Sequence, residues 1–442
     1  MNAAKRALLA VLLIAAAAPA PAAAPQVGPG DQPASEAEAK DYQLSLDQMR
    51  TFTEVFARIK QDYVEDVDDA TLMRAAIRGM LDGLDPHTAY LDTSEFQALE
   101  EDTSGHFNGI GIEVVKSDGD LRVVSPIDGT PAQQAGVKPG DIISGIDGHS
   151  TEGMELDDAV KLIRGEPGTT ITLTVVRDPN EKPLTLELKR AIIHVQSVSS
   201  RLIEDHYGYL RITAFQSDTP ASAREALQRL VKESDGELRG LVLDLRNNPG
   251  GVLNSAVGVA DLFLHDGLIV YTEGRSDESE LSFSADTDEL IPATPVVVLI
   301  NGGTASASEI VAGALQDHHR ALLVGEPSFG KGSVQTILPL TNGSAVKLTT
   351  ALYYTPSGRS IQALGIRPDI AVTEQHEEAP AENGPAPRRE ADLAGHLEVN
   401  HDAEPSQGGN EAKLAAHDFQ LYQALNLLKG ATILGQAGTP SG

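Results

Sequence analysis

Apolar residues at three- and four-residue steps, Phe52, Val55, Phe56 and Ile59, then Leu72, Ala75, Ala76 and Met80, predict an amphipathic helical region from Leu44 to about Leu84. GLDPHTAYLD reads as a turn. From about Gly105 to Arg190 the pattern changes to short alternating runs (IGIEVV, LRVVSPI, DIISGIDG, TITLTVVR, PLTLEL) broken by Gly, Pro and Asp, which predicts a small β module. One helix interrupts it, LDDAVKLI at 156–163, ending at Arg164-Gly165.

Beyond Arg190 strands and helices alternate: GYLRI, a helix from about Ala221 to Val231, GLVLDL, a helix near 253–264, PVVVLI, SASEIVAGALQD and ALLVGE. Continuous apolar strands between helices imply an α/β sheet covered on both faces. From about Thr373 the chain becomes acidic and rich in Pro, Gly and Ala; this tail is expected to be largely disordered apart from a helix over Glu411 to Leu428.

The first residues add a compartment. Lys5 and Arg6 precede an apolar run from Ala7 to Ala18 and then small residues, a secretory signal that suits cleavage after Ala22. The run is shorter than the ~20 residues a spanning helix needs, and an uncleaved N-terminal anchor is the minority reading. Export to the periplasm or another extracytoplasmic space follows. The 442 residues fit two to four domains at roughly 100 to 200 residues each. With 64 acidic against 34 basic side chains the formal charge is -30, which argues against nucleic acid and anionic lipid as partners. No cysteine is present, which removes thiolate chemistry, disulfides and cysteine metal sites.

Three segments could carry chemistry. PVVVLINGGTASASEIVAGALQD, residues 295–317, is a strand, a glycine turn and a helix, and it places Ser306 beside free helix N–H groups. A capping box of Ser306 with Glu309 explains the same residues without function. GLVLDLRNNPGG, residues 240–251, ends a strand in a turn where N–H groups around Gly250 and Gly251 could hold an anion, or where glycine merely serves the turn. GEPSFGKGSVQ, residues 325–335, nearly spells a phosphate-binding loop, but Gly332 stands where Ser or Thr would bind magnesium and SVQTILPL makes a poor helix. ATP is therefore disfavoured. Buried, Lys331 could instead serve as a general base for a serine; exposed, it is an ordinary loop lysine. A histidine triad fails on reach: Asp317, His318 and His319 lie at the far end of the helix, and the 12 residues from Ser306 to His318 rise about 18 Å. No histidine–carboxylate ligand spacing appears, so no metal is expected.

Together GHFNGIGIEV, GLVLDLRNNPGG, NGGTASASEIVAGALQD, GEPSFGKGSVQ and YYTPSGRSIQALGIRPDI resemble the C-terminal processing peptidases, or tail-specific proteases, over roughly residues 45–373. The resemblance implies a ClpP/crotonase-like α/β peptidase core with an inserted β-rich PDZ domain and a helical N-terminal region. The organisation that follows is signal peptide 1–22, linker 23–43, helical region 44–103, PDZ domain 104–190, peptidase core 191–373 and tail 374–442. It further implies Ser306 as nucleophile rather than Ser308, Lys331 as base, Gln335 as its orienting partner, and an oxyanion hole from the N–H of Ala307 and of Gly250 or Gly251. Thr304 stands where many members have Ser. If residues 331–335 were fully extended, Lys331 and Gln335 would lie about 13 Å apart, so a turn is expected there.

By the same resemblance Phe107, Asn108, Gly109, Ile110 and Gly111 form a loop gripping a substrate's terminal carboxylate, with Ile112 and Val160 shaping the side-chain pocket. Arg164 is a regulatory candidate coupling PDZ position to the active site; otherwise it is an exposed helix-end arginine. The implied partners are proteins or peptides with free C-termini, and an adaptor, a lipoprotein or a second copy is compatible with the family. No cofactor is needed. The rival from another class is a non-catalytic PDZ scaffold on an inactive peptidase fold.

Overall fold

The computed structural model describes residues 44–117, 119–177, 182–204, 206–286, 289–373, 414–415 and 417–437. The expected signal peptide, the linker and most of the tail lie outside the described residues. The chain divides into two compact units, one up to Ala76 and one from Ile77 onward.

In the first unit the helical expectation becomes the helix Leu46–Asp62, with the helix Asp69–Asp82 crossing the boundary. Ser45 starts the former by accepting from the Gln48 N–H while the Gln48 side chain accepts from the Ser45 N–H. Its apolar stripe of Met49, Phe52, Val55 and Ile59 is exposed, and none of its residues is buried. Among the described residues no helix is long and apolar enough to cross a membrane.

In the second unit the alternating β module folds around Ile143, Ile146, Ile171 and Leu173. Strand Thr170–Val176 turns every second side chain inward, as its period of two requires. The helix Leu156–Ile163 forms where the sequence places it. Entry and exit of the module are tied together, because His106–Gly109 pairs antiparallel with Ala191–His194. The module is therefore pinched off at its base, which is how a domain sits within another without disturbing it.

The core sheet runs in the order Val198–Glu204, Tyr207–Ile212, Gly240–Asp244, Val296–Ile300, Ala321–Gly325, Ile370–Ala371. All pairs are parallel except the first. Both faces are buried: Leu241 and Leu243 point into one cluster and Val242 into another. Helices Thr219–Glu233, Leu253–Asp261 and Ala307–Asp317 cover the first face. The second is covered by the helix Phe419–Ala437, which seats Leu421, Ala424, Leu425 and Leu428 against Tyr207, Val242 and Val297.

That last helix revises the reading of the tail. It begins later than Glu411 and extends beyond Leu428, and its apolar face belongs to the core. A second sheet also went unread in the sequence: Ser333–Pro339 pairs with Ala345–Tyr354, which pairs in turn with Leu268–Gly274 and with Ala89–Leu91 of the supposed turn.

Candidate active site

The core strand Val296–Ile300 delivers the chain into the turn Asn301–Ala305, and the helix Ala307–Asp317 begins at once. Ser306, between them, has φ 57° and ψ -118°. A non-glycine residue there is strained, and such strain persists only where the surroundings over-determine it. Here they do. The Ala305 N–H donates to Asn248 O at 2.9 Å, the Ser308 hydroxyl to the same carbonyl at 3.0 Å, and the Ser306 N–H to Glu309 Oε2 at 2.8 Å. Ser308 is buried and committed, which leaves Ser306 as the serine lining the cavity. Thr304 is likewise structural, donating to Leu245 O and accepting from Asn301 N–H.

Glu309 does more than complete a cap. Its buried carboxylate also accepts from Gly330 N–H at 2.7 Å, Lys331 N–H at 2.8 Å and the Ser328 hydroxyl at 2.5 Å. One side chain thus ties the serine turn to the lysine loop. Burial pushes its acid up despite those four donors. The sequence signal was present, a Glu three residues past the serine, but capping alone accounted for it.

The turn NNPGG closes against the serine. Gly250 lies so near that a Cβ there would stand 2.8 Å from Ser306 Cβ and 2.9 Å from Ala307 N. Only glycine fits. The Gly250 N–H is engaged by Asn248 Oδ1 at 2.9 Å, and its carbonyl accepts from Phe215 N–H. Asp244 and Arg246, at the end of the preceding strand, anchor this turn from below: Arg246 reaches Asp244, and it reaches Asp418 through two bonds of 2.8 and 2.7 Å. Gln420 accepts from it as well at 3.1 Å. Burial works to raise Asp244 but is outweighed by the hydrogen bonds and charge of Arg246, so its acid stays below the usual range.

Across a cavity of about 430 Å³ stands Lys331. It is half-buried and, among the described residues, makes no ion pair. Burial pushes its amine down, the charge of Lys347 adds to that, and Glu309 opposes it. Gly332 is explained by close approach: a Cβ there would stand 2.4 Å from Gln362 N. Tyr353 donates to the Lys331 carbonyl, and its phenol, raised by burial, contacts the Ser306 hydroxyl.

Gln335 lines the cavity without a turn before it. The strand Ser333–Pro339 shifts register between Val334 and Gln335, and this bulge lets both residues face the space that Lys331 faces. Gln335 does not hydrogen-bond Lys331; its amide donates to the Ser333 and Thr349 hydroxyls at 2.9 and 3.3 Å. Thr349 in turn holds the DPHT segment: its hydroxyl donates to Asp85 Oδ1 and its N–H donates to Thr88 Oγ1, each at 3.1 Å. Lys347 and this DPHT dock escaped the sequence reading.

The remaining candidates are placed as follows. Phe107, Asn108 and Gly109 are in the paired entry strand, Ile110 is fully buried in the β module, and Gly111, at φ 78°, turns the chain into the strand Ile112–Ser117. Ladder pairing and burial leave a shorter segment around Gly111 for any carboxylate than the five residues expected. Arg164 is not a free helix end: it pairs with Glu101 of the helix Thr93–Ser104 and lies over the Phe107 ring at 5.8 Å. The same helix sends Leu99 and Thr103 to the catalytic cavity. Asp317 pairs with Arg359, and His318 Nε2 lies 2.7 Å from Leu268 O, so both are structural.

Comparison with known proteins gives the family. Residues 206–372 match peptidase family S41, residues 122–177 a PDZ domain, and residues 22–95 the N-terminal domain of the activating protease CtpB. A carboxy-terminal-processing protease of Bartonella bacilliformis is 45% identical over 391 residues, covering 88% of this chain and 90% of that protein. The carboxy-terminal processing protease CtpA of Bacillus subtilis is 38% identical over 316 residues, covering 71% of this chain and 67% of its own. Among solved structures, a photosystem II D1 C-terminal processing protease is 35% identical, with 73% of this chain and 86% of that chain covered at a TM-score of 0.43. The serine turn and the lysine loop lie inside the S41 match and the middle of the β module inside the PDZ match; the chain belongs to peptidase family S41 and is a PDZ-containing serine protease of the carboxy-terminal-processing kind.

Proposed function

We propose that this protease works by a Ser306–Lys331 dyad outside the cytoplasm and takes hold of substrates by their C-termini. The observation that carries the reading is a strained serine sharing one cavity with a half-buried lysine that has no ion-pair partner among the described residues and whose amine is pushed down. Ser306 Oγ attacks the scissile carbonyl carbon and its proton passes to the neutral Lys331 Nζ; Lys331 then delivers that proton to the departing amine, and water cleaves the resulting ester. The N–H groups of Ala307 and Gly251 are the oxyanion donors in this reading, since the Gly250 N–H is already engaged by Asn248. Gln335 would orient Lys331 through its acceptor oxygen, its amide nitrogen being engaged elsewhere. The groove between strand Ile112–Ser117 and helix Leu156–Ile163 would receive the substrate's last residues as an added strand. The apolar run near the N-terminus supports export.

The test is cleavage of an unfolded protein ending in apolar residues. Ser306→Ala and Lys331→Ala should each lower kcat by a thousandfold or more, on the order expected when a nucleophile or its base is removed. Normal cleavage by Lys331→Ala would end the dyad assignment. Amidating the substrate's C-terminus should weaken cleavage, and an unchanged rate would end C-terminal capture while leaving the dyad standing.

A further inference from the structure

The cavity holds a second cation, one to which the proposed acyl transfer gives no proton to carry. Lys347 lies on the strand Ala345–Tyr354, opposite Ile337 of the neighbouring strand, and lines the same cavity as Ser306 and Lys331. It is half-buried and makes no ion pair among the described residues. Among the described residues no acidic side chain lines the cavity, although acidic side chains outnumber basic ones 64 to 34 in the chain.

The nearby carboxylates are all engaged. Both oxygens of Glu309 are filled by four donors, and Asp85 is held by the His87 and Thr88 N–H groups and by the Thr88 and Thr349 hydroxyls. His87 adds a third basic group to this corner; burial and the charges of Lys331 and Lys347 hold its imidazole below the ordinary range, with Asp85 opposing. Leu99, Val252, Ile310 and Ile337 give the cavity apolar walls, and Thr103, Ser333, Gln335 and Tyr353 add uncharged polar groups. A partly desolvated ammonium without a counter-ion is costly unless an anion completes it. A polypeptide laid across Ser306 has one such group to offer, a carboxylate.

We propose that Lys347 forms a carboxylate-accepting subsite beside Ser306, so that the enzyme favours peptides presenting an acidic side chain or a chain terminus close to the scissile bond. This rests on Ser306 being the nucleophile. The long aliphatic stem of Lys347 runs along the apolar wall while its head pairs with the carboxylate, and the low local polarity makes that pair stronger than one on the surface.

The experiment uses the full chain and a peptide it cleaves, remade with Glu or Gln at each of the positions flanking the scissile bond and with a free or amidated C-terminus. At one position kcat/KM should favour Glu by about tenfold, the scale of one charge-assisted hydrogen bond. Lys347→Met and Lys347→Gln should erase that preference, and Lys347→Arg should retain it. A preference that survives amidation identifies the side chain, and one that vanishes identifies the terminus; either supports the subsite. Equal use of Glu and Gln at every position with both termini, or a preference that persists in the neutral variants, overturns it. Equilibrium binding of the same peptides to Ser306→Ala reads the subsite separately from the nucleophile: a Glu preference there, with cleavage by Ser306→Ala undiminished from wild type, would spare the subsite and sink the Ser306 reading.

Discussion

The two sides of the catalytic cavity are built differently. Around Ser306 the polar atoms are committed: Ala305 N–H and Ser308 Oγ to Asn248 O, Gly250 N–H to Asn248 Oδ1, Asn248 Nδ2 to Ile212 O, and Ser306 N–H to Glu309. Around Lys331 the backbone is fastened but the side chains are not: Lys331 and Lys347 lack ion pairs among the described residues, and Gln335 holds its own strand rather than the lysine. A nucleophile held in strain on rigid elements keeps its geometry at no cost during the reaction. On the dyad proposed above, the lysine on its flexible stem would be the partner that has to move to meet the fixed serine turn.

Glu309 is where the contrast can be broken. Glu309→Gln replaces an acceptor of four donors by an amide whose nitrogen opposes one of the N–H groups. It should cost about a hundredfold in kcat, the scale of a slight misplacement of reacting groups, with KM little changed and a lowered Tm. Steady-state kinetics and thermal unfolding measure this; a kcat within twofold of wild type would reduce Glu309 to a helix cap.

A smaller effect sharpens the base side. Only neutral Lys331 accepts a proton, so kcat/KM should rise with pH through the lowered value of this amine, with a midpoint below 10.5. Lys347→Met removes a repelling charge and should move the midpoint upward, costing severalfold in rate at neutral pH. The sign for stability agrees: a lysine whose folded value is depressed destabilises the fold while protonated, so its penalty shrinks as pH rises from that value towards 10.5. A midpoint at or above 10.5 would remove Lys331 as the base.

The smallest effect tests the nucleophile side from beneath. Asp418→Asn weakens one of the two carboxylates on Arg246 and should lower stability by about 1 to 2 kcal/mol with kcat nearly unchanged, read from denaturant midpoints and initial rates. A large fall in kcat without loss of stability would show that the oxyanion turn is looser than its hydrogen bonds suggest.

Local patterning made much of this legible. The strand, glycine pair and helix around Ser306 are contiguous in sequence, and so is the alternation that builds the β module. What escaped depends on pairings far apart in the chain. Lys347 shares a cavity with Lys331 because the strand that follows Lys331 pairs with Ala345–Tyr354, and nothing in AVKLTTALYY marks one lysine as facing a cavity. The bulge at Val334–Gln335 replaces the expected turn because the partner strand fixes the register. In the tail the sequence marked a helix over Glu411 to Leu428 but not its role, since nothing local shows that Leu421, Ala424, Leu425 and Leu428 seal a sheet.

The closing helix has a consequence for biogenesis. A chain made from its N-terminus meets every strand of the core before Asp418 to Leu428 exist, so a shorter nascent chain carries one bare apolar sheet face and an Arg246 paired with Asp244 but not yet with Asp418. The catalytic turn stands on that arginine. The core thus gains its full support only once the helix Phe419–Ala437 has been made, and that helix acts as the timer.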